Sequence, residues 1–275
     1  MTQNLNVVQT LNVAQLSAVP PPDPAAVAAS AGARERNRLS RHRGYLRAAL
    51  RVISEEGLDA LTMQRLAAEV GASVGSVYTY FSSKGALVAE VQREAIERLA
   101  ASAAVLGREV DAAGHQEPGP ARLAPVVAFG RFWLTAHETH REEMRLLLLL
   151  LSDHREGVPE EEAGRVVPAA LRLLALAESR LRAAADAGAL AAGRVGESPE
   201  QRTIALAAAL TGCLQLQVVQ RWDADLLDPR TTGRHVLDAL LLGWGADPAA
   251  LAAAHRCVDR LEADGPLARP VTGGD

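Results

Sequence analysis

Along most of this chain apolar residues recur at the three-and-four spacing of a helix face, punctuated by Gly, Pro and Asp. Leu46, Ala49, Leu50 and Ile53 stand at i, i+3, i+4 and i+7, and their face stops at Gly57, where a left-handed cap suits glycine. Leu58 is placed for the apolar contact that such caps favour. Thr62 is the expected N-cap of a second helix, with Met63, Leu66, Ala67 and Val70 on one face and Gly71 at its end. Ser73 caps a third, short helix running through Tyr80, and Ser82 or Ser83 opens a fourth at Lys84. Two short helices joined by a tight glycine-bearing turn and braced by a longer one before them predict a helix-turn-helix over residues 62–81.

Downstream, the pattern predicts long helices over residues 84–110, 123–151, 159–187, 199–221, 232–242 and 248–263. The breaks between them are AAGHQEPGP, EGVPEE, GESPEQ, DLLDPRTTG and GADP. Short loops between long amphipathic helices imply an all-α bundle rather than a solenoid. The expected organisation is a DNA-binding unit over 39–99, a helical unit over 100–264, and a flexible tail over 265–275. Residues 1–38 combine a Gln/Asn-rich start, PPPDP and an Ala/Ser/Gly stretch, and are expected to be a disordered leader. The near-repeat LNVVQT/LNVAQL within it is the one place there for a short partner-binding helix.

Composition supports helices: of 275 residues 48% are hydrophobic but only 3% aromatic, so Ala, Leu and Val carry the apolar share. The formal net charge is −4, which alone argues against a nucleic-acid partner. The charge is uneven, however. Residues 34–51 (RERNRLSRHRGYLRAALR) hold seven Arg against one Glu, a basic face in an otherwise acidic chain. Cys213 and Cys257 have no metal-ligand spacing and read as buried thiols in a reducing cytoplasm. The run LLLLLL at 146–151 lies between Arg145 and Asp153 and is too short to span a membrane, and no signal peptide is read at the N-terminus.

The stretch SVGSVYTYFSSKGAL, residues 73–87, gathers two of three tyrosines and the chain's only lysine. A helix entering a DNA groove needs small residues where backbone approaches the duplex, hydroxyls and a cation for phosphates, and a packed far side. Gly75 and Ser76 add little bulk, Tyr78 and Tyr80 carry phenolic donors, Phe81 is an anchor, and Lys84 brings its ammonium to the next helix's first turn. LRAALRVISEEGLDALTMQRLAAEVGASVGSVYTYFSSKGALVAEV resembles the TetR-type transcriptional regulators, in which glycines, cap residues, tyrosines and lysine fall in this step. The likeness covers about residues 39–99, and Gly85 departs from the Glu that the family often carries there.

The resemblance implies phosphate contact by Thr62, with Gln64 and Arg65 nearby, and by Tyr78, Tyr80 and Lys84. It turns Ser73, Val74, Gly75, Ser76 and Thr79 towards bases and sugars. Arg36, Arg38, Arg41 and Arg43 are expected to form a flexible arm on the minor groove or backbone. Val74 and Thr79 offer no bidentate readout of the kind Arg or Asn gives, so thymine methyls and DNA shape are expected to carry part of the specificity.

The resemblance further implies a dimerising, effector-binding domain and hence a cytoplasmic homodimer that binds a palindromic double-stranded DNA operator and is released from it by a small molecule. Helices over PEQRTIALAAALTGCLQLQVVQRW and TTGRHVLDALLLGWG suit a four-helix interface between two copies. An effector pocket is expected among Phe129, Phe132, Trp133 and Met144, with His137, His140, Gln215 or Gln217 as polar contacts, the alternative being that the aromatics simply fill the core. His137 and His140 share a helix face at i, i+3 but lack a third ligand, so no metal or other cofactor is expected. Two rival readings remain: a DNA-binding dimer whose larger domain binds a partner protein, and a transcriptional activator. Enzyme motifs such as GxGxxG, a P-loop or GxSxG are absent from the sequence, and no catalytic site is expected.

Overall fold

The computed structural model describes residues 24–114, 122–152, 160–191, 197–225 and 227–269. Among these residues there are ten α-helices and no strand. In order they are α1 (Pro24–Glu56), α2 (Met63–Glu69), α3 (Val74–Tyr80), α4 (Lys84–Gly114), α5 (Ala124–Thr139), α6 (Arg141–Ser152), α7 (Glu160–Asp186), α8 (Pro199–Gln215), α9 (Pro229–Gly243) and α10 (Pro248–Ala263). No described helix is long and apolar enough to cross a membrane.

Four boundaries differ from the sequence expectation. The leader expected over 1–38 lies outside the described residues as far as residue 23, with its near-repeat; from Pro24 the chain is already helical. Ala and Arg propagate a helix readily once it is nucleated, and the packed turns around Leu46–Ile53 supply that nucleus. The helix expected over 123–151 breaks at His140 (φ −129°, ψ 48°), whose buried imidazole is held by Thr139 Oγ1 at 2.8 Å and Ser102 Oγ at 2.9 Å. The helix expected to reach residue 221 ends at Gln215 and continues as two tight turns, Leu216–Val218 and Gln220–Trp222. Finally, the tail expected to be flexible docks at its start, with Leu267 and Ala268 buried against the larger core.

Two apolar cores form. The smaller joins Tyr45, Leu46, Ala49, Val52 and Ile53 of α1 to Leu61, Met63, Leu66, Val77 and Phe81, and to the start of α4. Full burial of each larger side chain contributes about 2 kcal/mol. The larger core takes α5, α7, α8, α9, α10, the rest of α4, and Met144 and Leu147 of α6. Helix α4 serves both: Val88, Val91 and Ala95 enter the smaller core, and Ala89, Ile96 and Leu99 the larger. No break in α4 marks the boundary expected near residue 99. In the larger core α5 and α9 exchange knobs and holes, since Leu237 fills the space over Gly130, where a Cβ would lie 2.7 Å from its methyl, and Leu134 does the same at Gly233.

Candidate nucleic-acid interface

Each element of the helix-turn-helix is fixed by a local bond that its sequence supplies. Thr62 Oγ1 accepts from Arg65 N at 3.0 Å and caps α2, and Ser73 Oγ accepts from Ser76 N at 3.2 Å and caps α3. Between them Gly71 turns the chain at φ 65°, a left-handed conformation that costs other residues energy. Ser83 Oγ accepts from Ala86 N at 3.0 Å, which makes Ser83 the residue that opens α4.

Val77 and Phe81 point inward and are buried, so the opposite side of α3 faces outward. Ser73, Gly75, Tyr78 and Thr79 are exposed there, Tyr78 to 52%, and Val74, Ser76 and Tyr80 are half-buried. Thr62 and Gln64 at the start of α2 and Lys84 at the start of α4 are also exposed. Two hydroxyls are already engaged: Thr79 Oγ1 donates to Gly75 O at 3.1 Å, and Ser76 Oγ shares a 2.9 Å hydrogen bond with Tyr45 OH. Tyr80 rests on the Tyr45 ring (5.1 Å between centroids) and nearer α1's basic stretch on His42 (6.3 Å), with Phe81 behind it. Its ring braces α3 against α1, and its hydroxyl is the part left for a ligand.

Five expected residues are placed differently from the sequence reading. Arg65 is tied to its own fold: its guanidinium donates to Glu56 Oε1 at 2.6 Å and to Glu69 Oε2 at 2.8 Å. Hydrogen bonds from Arg65 and then Arg51 hold the Glu69 carboxyl below its usual range. Arg65 therefore fastens α2 to the end of α1. Arg36, Arg38, Arg41 and Arg43, expected in a flexible arm, instead lie exposed along helical α1. His42 and Tyr45 escaped the sequence reading, although Tyr45 is the third of only three tyrosines and so carried a compositional signal.

Comparison with known proteins agrees with this geometry. The family model of bacterial regulatory proteins of the tetR family matches residues 46–91, the span from the buried face of α1 to the first turns of α4. Residues 46–91 belong to the tetR family. Solved structures extend the tetR-type fold over the larger domain. A TetR transcription regulator from Haloarcula marismortui aligns with a TM-score of 0.57 at 18% identity, covering 74% of this chain and 98% of its own. SmeT, the repressor of the Stenotrophomonas maltophilia multidrug efflux pump SmeDEF, aligns at 0.51 and 20% identity, covering 76% and 92%. A SmeT–triclosan complex aligns at 0.52 and 20%, covering 77% and 94%. A comparison with curated proteins found no match.

In the larger domain of this tetR-type fold, Phe129, Phe132, Trp133 and Met144 are buried in one core. Phe129 meets Phe132 at 6.4 Å and Trp133 at 6.1 Å, and Phe132 meets the His140 ring edge-on at 5.6 Å. His137 turns elsewhere, its Nδ1 2.8 Å from Leu134 O, so the two histidines serve different partners rather than one metal. Gln215 is exposed, and Gln217 is half-buried. Among the described residues no group of three His, Cys, Asp or Glu is arranged to hold a metal ion.

Proposed function

We propose that the protein is a cytoplasmic transcriptional repressor that binds a palindromic double-stranded DNA operator as a homodimer and is released from it by a small molecule. The observation that carries this reading is the outward surface of α3, where Ser73, Gly75, Tyr78 and Thr79 stand exposed, with Thr62, Gln64 and Lys84 exposed at the starts of α2 and α4. Gly75 leaves backbone accessible, and the hydroxyls, amide and ammonium are phosphate and sugar partners. Arg41 and Arg43 extend the positive charge along α1.

Homodimerisation is supported by apolar side chains that their own fold leaves uncovered: Ile204 of α8, Val218 and Trp222 of the turns after it, and Leu242 of α9, with Trp222 71% exposed. Paired across a two-fold axis, two copies of α8 and α9 make a four-helix contact. The two α3 helices then address major-groove segments about 34 Å apart on one face of the duplex. That SmeT is described both as a repressor and in complex with triclosan supports the release by a small molecule.

The test is binding of the purified protein to DNA flanking its own gene at fixed salt, with Lys84→Ala and Tyr80→Phe as controls, and sedimentation for the oligomeric state. Saturable, competitor-resistant binding by a dimer, weakened in both variants, is expected. A folded monomer, or affinity unchanged in both variants, would overturn the assignment.

A further inference from the structure

The larger core holds a cation that donates to neutral carbonyls and, beside it, an indole N–H without an acceptor among the described residues. Arg180 of α7 lays its guanidinium over the Phe129 ring, 5.2 Å from the centroid. It donates to Ala103 O of α4 at 2.7 Å and to Leu176 O at 2.9 Å, both neutral carbonyls. Among the described residues no carboxylate stands at ion-pair distance from it; Asp111 attracts it from farther off, while burial pushes its pKa down. Gly107 admits this side chain, since a Cβ there would lie 2.5 Å from its Nη2. On α5, one turn beyond Phe129 and in contact with its ring, stands Trp133, 5% exposed, with an Nε1 that is fully buried and has no acceptor. Gln217 Nε2, in the tight turn that follows α8, is also buried without an acceptor among the described residues.

Among the described residues, a cation without a close counter-ion and an indole whose N–H has no acceptor lie beside one aromatic ring, and neither meets a negatively charged oxygen. We infer that the larger domain binds an apolar carboxylate here, its head group on Arg180 and Trp133 Nε1 and its hydrocarbon body against Phe129 and Phe132. The inference rests on the proposed reading of this domain as the effector domain and names the effector's chemistry. A cationic ligand is repelled by Arg180, a neutral one leaves the guanidinium uncompensated, and a small polar dianion gains nothing from the aromatic walls. Arg180 is half-buried, which gives the head group a way in. Its bond to Ala103 O ties α7 to α4, the helix whose beginning belongs to the DNA-binding core. A carboxylate that draws the guanidinium off that carbonyl loosens the tie, and so couples binding to release.

The experiment is calorimetric titration of the full chain with octanoate and phenylacetate, and with octanamide and phenylacetamide as uncharged counterparts. At least one acid is expected to bind roughly tenfold or more tightly than its amide, a preference abolished by Arg180→Gln and reduced by Trp133→Phe. Equal binding of acid and amide, no binding of either acid, or a preference that survives Arg180→Gln would each overturn the inference. The acid–amide comparison needs only the unaltered protein, so it stands even where a variant fails to fold. DNA binding is measured separately. An operator complex that forms while neither acid binds overturns this inference alone, whereas acid binding by a protein that binds no DNA upholds the site and overturns the regulator reading.

Discussion

Replacing Gly75 by Ala is expected to separate folding from DNA binding, because the proposed interface gives the two effects opposite signs. Gly75 is the second residue of α3, its φ is not left-handed, and an added Cβ would meet nothing within 4 Å. Alanine therefore brings only its better helix propensity and the lower entropy of the unfolded chain, about 0.5 kcal/mol at this first-turn position. In a chain of this size that is roughly 1–2 °C in Tm. In the proposed complex with a duplex the same methyl would stand between the helix backbone and the groove. Displaced outward, the helix lengthens the contacts made by Ser73, Tyr78 and Thr79, and losing one or two hydrogen bonds of about 1 kcal/mol each weakens Kd by roughly five- to thirtyfold. Urea denaturation reads the first quantity and fluorescence anisotropy on the operator fragment the second. An unchanged Kd in a variant of raised stability would take Gly75 out of the interface, and a loss of stability would refute the open space around its Cα.

Other substitutions test neighbouring parts. Thr62→Ala removes the α2 cap and should cost about 1 kcal/mol in urea denaturation; Thr62→Asp should keep that stability yet weaken DNA binding by charge repulsion. Lys84→Ala should lower the slope of log affinity against log salt by about one, whereas Arg65→Gln, which breaks the ties to Glu56 and Glu69, should leave that slope unchanged in the fraction that remains folded. Burial holds the His140 imidazole below its ordinary 6.5, with Glu143 pulling the other way, so the unfolded chain takes up this proton first. The stability it contributes is present above about pH 6.5 and is lost as pH falls below it; a fall equally steep in His140→Gln would refute this.

Local signals made the first four helices legible. Thr62 and Ser73 cap where the sequence places them, and Gly57 and Gly71 take left-handed φ values of 93° and 65°. Residues 123–151 misled because their apolar period continues through His140, whose imidazole is held there by the adjacent Thr139 hydroxyl and the distant hydroxyl of Ser102. Arg65 looked like a phosphate ligand because the spacing says nothing of Glu56, which reaches it across a turn of the chain. In the larger domain the aromatics announced a core, but the cation lying over Phe129 comes from α7, about fifty residues away, with Gly107 of α4 making the room, and no periodicity links the three.

Helix α4 lends one side to each of two cores. A rod gripped in this way cannot turn about its own axis without stripping Val88 and Val91 from one set of neighbours and Ile96 and Leu99 from the other. Close packing makes such a rotation expensive. Sliding along the axis, or tilting as a lever about the stretch where the cores meet, disturbs far fewer contacts. Any message that reaches the recognition helix from the larger domain through α4 therefore arrives as a displacement rather than a twist, and two such levers in one dimer would change the distance between their reading heads.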